Sequence, residues 1–522
     1  MNFLKAFDFL SQSVPRTDKV RPRADWPFIL SLFVLANYLI WVVWYLFLSN
    51  YFDHVEPTIS AISWVFINGK PLYHPLDSMD QYNMVYGPVL FFTNGLLMKI
   101  FSPAILTSKL GGAIFSLISI LGLCFAVQKY SERRTGLMAG AVLVLIYCAF
   151  WPFTTFITRA DALILGLVAV GLTGLHARSA LPAALITLLA AAISINVKIH
   201  SAMYFFPIWA IMLTRFGLVP VLFSGFGTLA VATLPFLLFP EKLPFEHFSR
   251  FLLDVGPIKY GINPMFYKNA INIILYQFIP FLLFLGLFRK PGKIIRENWF
   301  VAGVFILSFL VSLIIGSRPG AGKFHLLPLS IPLIYWMACL LIDHGKSECD
   351  QKSEGLKRIS GLISLVVVFL ILAMVPVHGR LIKLSTWNGR DNAAIEDLRQ
   401  IMKNNPGKQI AMGIGDTERN HLTWYLPILV FAGNDYSFDL NTIMELKISH
   451  LMDQAPGLWS ALESCKNDIW LIPRGSTPFN HTGVYDGKVI LNDRFRETFN
   501  KSYSLESSST YYDLWRCARN QG

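Results

Sequence analysis

Charge is what this chain has least of: 15 % of its 522 residues are Asp, Glu, Lys or Arg, against 54 % apolar. A water-soluble enzyme of this length needs more charge on its surface, so the balance excludes a soluble globule and points to a polytopic α-helical membrane protein. Cysteine is sparse as well. The six (Cys124, Cys148, Cys339, Cys349, Cys465, Cys517) have no metal-like spacing, and two lie inside apolar runs, which argues against a thiolate metal centre. There is no glycine-rich phosphate-binding loop and no dinucleotide fingerprint after a strand, so no nucleotide site is expected. Repeats and low-complexity tracts are also lacking.

What is present is a series of apolar runs. A bilayer crossing takes roughly 20 apolar residues, and candidates fall near 26–48, 106–128, 137–155, 161–177, 182–197, 200–214, 218–239, 269–288, 299–316, 324–343 and 358–377, about eleven in all. The first run, Trp26 to Leu48, follows a polar stretch without a small-residue cleavage site and is expected to be a retained anchor. The formal charge of +12 would suggest nucleic acid in a soluble chain. Here the basic residues gather in short loops: Arg16, Lys19, Arg21 and Arg23; Lys129, Arg133 and Arg134; Arg289, Lys290, Lys293 and Arg296; Lys346, Lys352, Lys357 and Arg358. Such clusters mark the cytoplasmic face, and no nucleic-acid partner is expected. All four share one side if the run from Pro88 to Ile100 lies along the outer surface instead of crossing. The N-terminus is then cytoplasmic, the segment Ser49 to Thr107 is an outer loop, and the membrane part extends over 1–378.

Past residue 379 the composition turns mixed. Alternation at Gln409 to Gly413 and Asp468 to Pro473 predicts strands, and Asn392 to Asn404 predicts a helix, so 379–522 reads as a soluble α/β or α+β domain. An odd number of crossings puts it outside the cytoplasm. Its cysteines, Cys465 and Cys517, form a disulfide or remain two free thiols; both readings are open.

The outward polar residues can now be collected. They are Asp53, His54 and Glu56 in YFDHVEP, Arg159 and Asp161 in TRAD, Lys198 and His200 in NVKIH, and Arg318, Lys323 and His325 in GSRPGAGKFH. Outward basic residues run against the usual bias of positive charge toward the cytoplasm, and an anion such as a lipid phosphate would relieve the conflict. Each residue also has an ordinary reading: solvated loop charges for Asp53 and Glu56, a polar loop histidine for His54, a helix-end pair for Arg159 and Asp161, a snorkelling Lys198, a helix-end His200. Arg318, Lys323 and His325 form an ordinary loop if the helix count is wrong.

Taken in order, the acidic loop, INGKPLYHPLDSMDQYNMVYGPVLFF (Ile67 to Phe92), TRADALILGL (Thr158 to Leu167) and GSRPGAGKFHLLPLSIPL (Gly316 to Leu333) resemble the GT-C glycosyltransferases. The likeness is greatest to the bacterial group related to protein mannosyltransferases and aminoarabinose transferases, and covers roughly residues 26 to 380. It implies a multi-pass enzyme of the plasma (bacterial inner) membrane with an extracytoplasmic C-terminal domain. Such an enzyme moves a sugar from a polyprenyl-phosphate donor to a cell-envelope glycan, lipid or protein outside the cytoplasm by inverting displacement. It further implies catalysis by Glu56, with Asp53 as second choice or helper; donor-phosphate contacts from Arg159, Lys198, Arg318, Lys323 and His325; and substrate positioning by His54, Asp161 and His200. The loop from Pro240 to Lys268, with Glu241, His247, Arg250 and Tyr260, resembles a mobile cover. No cofactor is implied for certain, and a divalent cation is left open. A polysaccharide polymerase or ligase using a lipid diphosphate is the near alternative; a transporter or flippase is the distant one, and it should carry its charges at the midplane.

Overall fold

The computed structural model describes residues 26–150, 152–255, 264, 266–274, 291–317, 321–347, 388–483 and 487–518. The expected spans 269–288 and 358–377 lie mostly or wholly outside them, as do Tyr260, Arg318 and the basic cluster before the first span. Five described helices are long and apolar enough to cross a membrane: Phe28–Phe47, Ile105–Tyr130, Leu218–Leu238, Trp299–Gly316 and Phe324–Asp343. This is a multi-pass membrane protein.

In chain order the helices that matter for the site are α1 (Trp26–Phe47), α2 (Val55–Ile67), α3 (Pro88–Phe101), α4 (Ile105–Tyr130), α5 (Arg133–Phe150), α6 (Ala160–Thr173), α7 (Ala180–Ile195), α8 (Phe206–Phe216) and α9 (Leu218–Leu238). Helix α6, ADALILGLVAVGLT, has no polar face beyond its first turn and is buried almost all round, as a helix apolar on every side should be. It packs against α4, α7 and the helix Leu327–Ser347. Helix α9 is the opposite case: Phe226, Leu229, Leu237 and Leu238 are exposed, as expected of a helix that meets lipid. The expected run 200–214 forms differently. A 3₁₀ segment, Ile199–Phe205, precedes α8, whose first turn holds Pro207, a residue suited to a helix start because it has no amide hydrogen to satisfy.

The bundle has two distinct ends. At one, the last turn of α4 meets the end of the helix Leu327–Ser347 through Tyr130, whose hydroxyl donates to Asp343 at 2.5 Å. At the other, the end of α1, the start of α4, the turn 152–158 and the start of α6 converge. Gly112 of α4 lies directly on the carbonyls of Phe156 and Ile157 and leaves no room for a Cβ. Thr158 Oγ1 donates to the Ser108 carbonyl at 3.0 Å. The outer segment 49–107 caps this end: the amides of Gly87 and Val89 donate to the carbonyls of Val197 and Asn196, each at 3.0 Å.

The C-terminal domain is α/β. Strands β1 (Ile410–Met412), β2 (Ile469–Pro473), β3 (Tyr503–Ser508) and β4 (Tyr512–Cys517) form one sheet in the order β1-β2-β4-β3, with β1 parallel to β2 and the other pairs antiparallel. The first two strands fall where the alternation predicted them, and a helix covers Asn388–Asn404. Strand β2, IWLIP, is buried on both faces because helices cover both sides, so it reads as a continuous apolar run. Cys465 and Cys517 are joined in a disulfide, which decides the alternative left open by sequence.

This domain docks on the outer segment. Gln81 pairs with Phe438 as an isolated parallel bridge, its amide donating to the Ser437 carbonyl at 2.9 Å and its carbonyl accepting from the Asp439 amide at 3.0 Å. Thr58 Oγ1 donates to Asp439 at 2.9 Å and Thr442 Oγ1 to the Asn83 carbonyl at 2.6 Å. The two pieces that the sequence placed outside the cytoplasm therefore share one end of the molecule.

Candidate active site

Asp53 and Glu56 leave the same turn of the outer loop, yet the structure separates them. Glu56 lies in the first turn of α2 and is wholly buried. Its Oε1 accepts from the amides of Phe52 (2.7 Å) and Asp53 (3.1 Å); its Oε2 accepts from the Thr158 amide (3.0 Å) and the Tyr45 hydroxyl. Burial pushes its pKa upward, and these donors with nearby Lys109 oppose that shift. Lys109 is equally enclosed. Its ammonium donates to the carbonyls of Tyr45, Leu48 and Asn50 at 2.7–3.0 Å, capping the C-terminal end of α1, and lies 4.4 Å from the Tyr45 ring centre. A cation there also suits the negative end of the helix dipole. Glu56 and Lys109 thus hold α1, the outer loop, α4 and the turn before α6 together, and no face of Glu56 is open to a substrate.

Asp53 points into a different set of groups. Its Oδ2 receives Arg159 Nη1 at 2.5 Å, and its Oδ1 receives His54 Nδ1 at 2.8 Å and the Val55 amide at 3.1 Å. Arg159 Nε lies 3.6 Å from Asp161 Oδ2, and Asp161 Oδ1 receives Lys198 Nζ at 2.9 Å. The result is a line of alternating charge, Asp53–Arg159–Asp161–Lys198, drawn from the outer loop, the start of α6 and the turn after α7. Phe324 lies beside both cations, its ring centre 4.9 Å from the Arg159 guanidinium and 5.6 Å from Lys198 Nζ. Burial alone would raise the pKa of Asp53, but the Arg159 guanidinium and His54 hold it well below the usual carboxylate range.

His200 and His325 complete this cluster. His200 Nε2 lies 3.1 Å from His325 Nδ1, so one of the two rings donates to the other, and the His325 carbonyl accepts from Tyr204 at 2.6 Å. The structure therefore gathers Asp53, His54, Arg159, Asp161, Lys198, His200 and His325 at one end of the bundle and sets Glu56 apart. Arg318 is outside the described residues; Lys323 opens the 3₁₀ segment that carries Phe324 and His325. Among the described residues no three His, Cys, Asp or Glu side chains are grouped to hold a metal ion.

Three participants escaped the sequence reading. Lys109 had a usable signal, a lysine near the start of an apolar run. Tyr45 and Phe324 had none, since an aromatic near a helix end is ordinary in a membrane protein.

No family model and no curated protein matches this sequence. Solved structures do. The chain is similar to ArnT from Cupriavidus metallidurans bound to undecaprenyl phosphate, with a TM-score of 0.57 and 13 % identity over 95 % of this chain and 98 % of that one. The apo state of the same protein gives a TM-score of 0.52 with 11 % identity over 94 % and 97 %. The fold is the GT-C fold. Agreement over nearly the whole of both chains means that the GT-C likeness takes in the C-terminal domain as well as residues 26 to 380.

Proposed function

We propose that this protein is an integral-membrane glycosyltransferase that moves a sugar from a polyprenyl-phosphate carrier to an acceptor on the extracytoplasmic side, by inverting displacement. The observation that carries the proposal is the buried Asp53–Arg159–Asp161–Lys198 line at one end of a GT-C fold. ArnT, which shares the fold, is a structure bound to undecaprenyl phosphate. A transporter would place such charges at the midplane of its bundle.

The chemistry follows from the charges. When the sugar leaves, the carrier phosphate gains negative charge, and a preorganised cation worth most in a water-poor site is what stabilises it. Asp161 holds Arg159 and Lys198 in place without exhausting them: Arg159 Nε has no hydrogen-bond partner, and an ammonium has three donors, of which Asp161 takes one from Lys198. These spare donors, with His200 and His325, are the proposed phosphate contacts. Asp53 is the carboxylate on the acceptor side. Glu56 is not, because its lone pairs are filled by the protein; the sequence preference for Glu56 is replaced by Asp53 in this proposal.

Mass spectrometry of polyprenyl-phosphate lipids tests it, in cells with the wild type, a deletion and Asp53→Asn. One polyprenyl-phosphate sugar should accumulate in both altered strains. A lipid-diphosphate oligosaccharide accumulating instead would replace this donor class by that of a polymerase or ligase. No lipid change in the deletion would overturn the transferase reading.

A further inference from the structure

Which atom takes the proton from the acceptor hydroxyl is a question the two carboxylates answer poorly. Glu56 is enclosed, and Asp53 has both oxygens engaged and a lone pair weakened by Arg159. His54 is different. Its Nδ1 sits 2.8 Å from Asp53 Oδ1. An ionised carboxylate has no hydrogen to give, so Nδ1 carries the proton, and the neutral ring then keeps its lone pair on Nε2. The side chain is 52 % exposed, and no described residue takes Nε2 as a partner.

The exposed ring lines a narrow, solvent-open cleft, about 40 Å³ in volume, between the first turn of α2 and the C-terminal domain. Pro57, Thr58, Asn420, Trp424 and Asn441 line the same cleft.

We infer that His54 is the general base of the transfer, taking the proton of an acceptor hydroxyl held in this cleft, with Asp53 as its positioning residue. The inference rests on the glycosyltransferase reading. The acceptor oxygen bonds to the anomeric carbon as the bond from that carbon to the carrier phosphate oxygen breaks. The bonding pair leaves with the phosphate toward Arg159 and Lys198. The hydroxyl proton moves to His54 Nε2, and the imidazolium formed is paired with the Asp53 carboxylate until solvent removes the proton. The charged or titratable groups facing His54 are Asp53 in its own loop, Arg159 beyond it, and Asp439 and His481 in the C-terminal domain. Asp53 and Asp439 are negative and Arg159 is positive, while burial lowers the pKa of His481 and favours its neutral ring.

The test uses the purified full chain. Undecaprenyl phosphate binding is followed by native mass spectrometry, and transfer by consumption of the accumulated donor in membranes of the deletion strain across a pH series. His54→Ala and His54→Gln should bind undecaprenyl phosphate as the wild type does and lose roughly 10²- to 10³-fold in turnover. The dependence of the rate on pH should differ from that of the wild type in both. Added imidazole should restore part of the rate to His54→Ala and none to Asp53→Asn. Turnover of both His54 variants within threefold of the wild type overturns the inference and returns the proton to Asp53, while leaving the transferase reading intact. A wild type that neither binds undecaprenyl phosphate nor consumes the donor overturns that reading itself.

Discussion

The nest around Glu56 and the open line around Asp53 begin three residues apart and serve opposite ends. In the nest, every oxygen lone pair meets a donor fixed by backbone or by Tyr45, and the compensating cation, Lys109, spends its hydrogens on three carbonyls. In the line, each charge is balanced by its neighbours, yet Arg159 Nε has an ion pair to Asp161 without a hydrogen bond, and the far edge of His54 is open. In the proposed reading the satisfied nest is a joint and the line is the site. A buried group with spare donors costs stability, and retaining it is what a preorganised reaction centre requires.

The comparison breaks most sharply at Glu56. Glu56→Ala leaves Lys109 buried without its countercharge and three amides without acceptors, so the expected loss is about 3–5 kcal/mol, read as a lowered melting temperature in detergent. Unchanged melting would dissolve the distinction between joint and site. Asp53→Asn should instead melt closer to the wild type and lose roughly 10²- to 10⁴-fold in turnover, measured as donor consumption. Acid sharpens the same contrast. The pKa of Asp53 is held below its ordinary value, so its pairing with Arg159 stabilises the fold at neutral pH, and that contribution is lost as the pH falls through and below about 4. The wild type should therefore lose more melting temperature than Asp53→Asn between neutral pH and pH values of about 3–4.

Away from both acids the effects shrink and become purely structural. Replacing Cys465 and Cys517 with Ser opens a loop of 52 residues and should cost the C-terminal domain about 2–4 kcal/mol, followed as loss of a thermal transition while carrier binding persists. Lys70→Ala removes an ion pair to Asp435, 3.1 Å long, in which both side chains are more than 40 % exposed. A screened pair of that kind is worth under about 1 kcal/mol, and the melting temperature should scarcely move.

Much of the architecture was legible in the chain. Apolar runs 26–48, 106–128, 218–239, 299–316 and 324–343 coincide with the five long helices, since length and hydropathy suffice to find a bilayer-crossing helix. The uneven helix at 200–214 was not legible, because a periodic apolar run does not show where Pro207 lets a helix begin. The residues TRAD, NVKIH and GSRPGAGKFH could be grouped by side of the membrane, but grouping by side says nothing of contact. Arg159 reaches back 106 positions to Asp53, just after the turn that α4 meets at Gly112, a close approach only the folded chain reveals.

The sequence by itself settled that this protein lives in a membrane, because composition and hydropathy act locally. It could not choose between Asp53 and Glu56. Both are carboxylates in one short loop, and their difference lies wholly in what surrounds them. The Tyr45 hydroxyl and the Thr158 amide come from other segments to join the loop's own amides on Glu56, and Arg159, the residue after Thr158, faces Asp53. Ionisation, reach and availability of a side chain are set by neighbours within a few ångströms, and those neighbours are a product of tertiary structure.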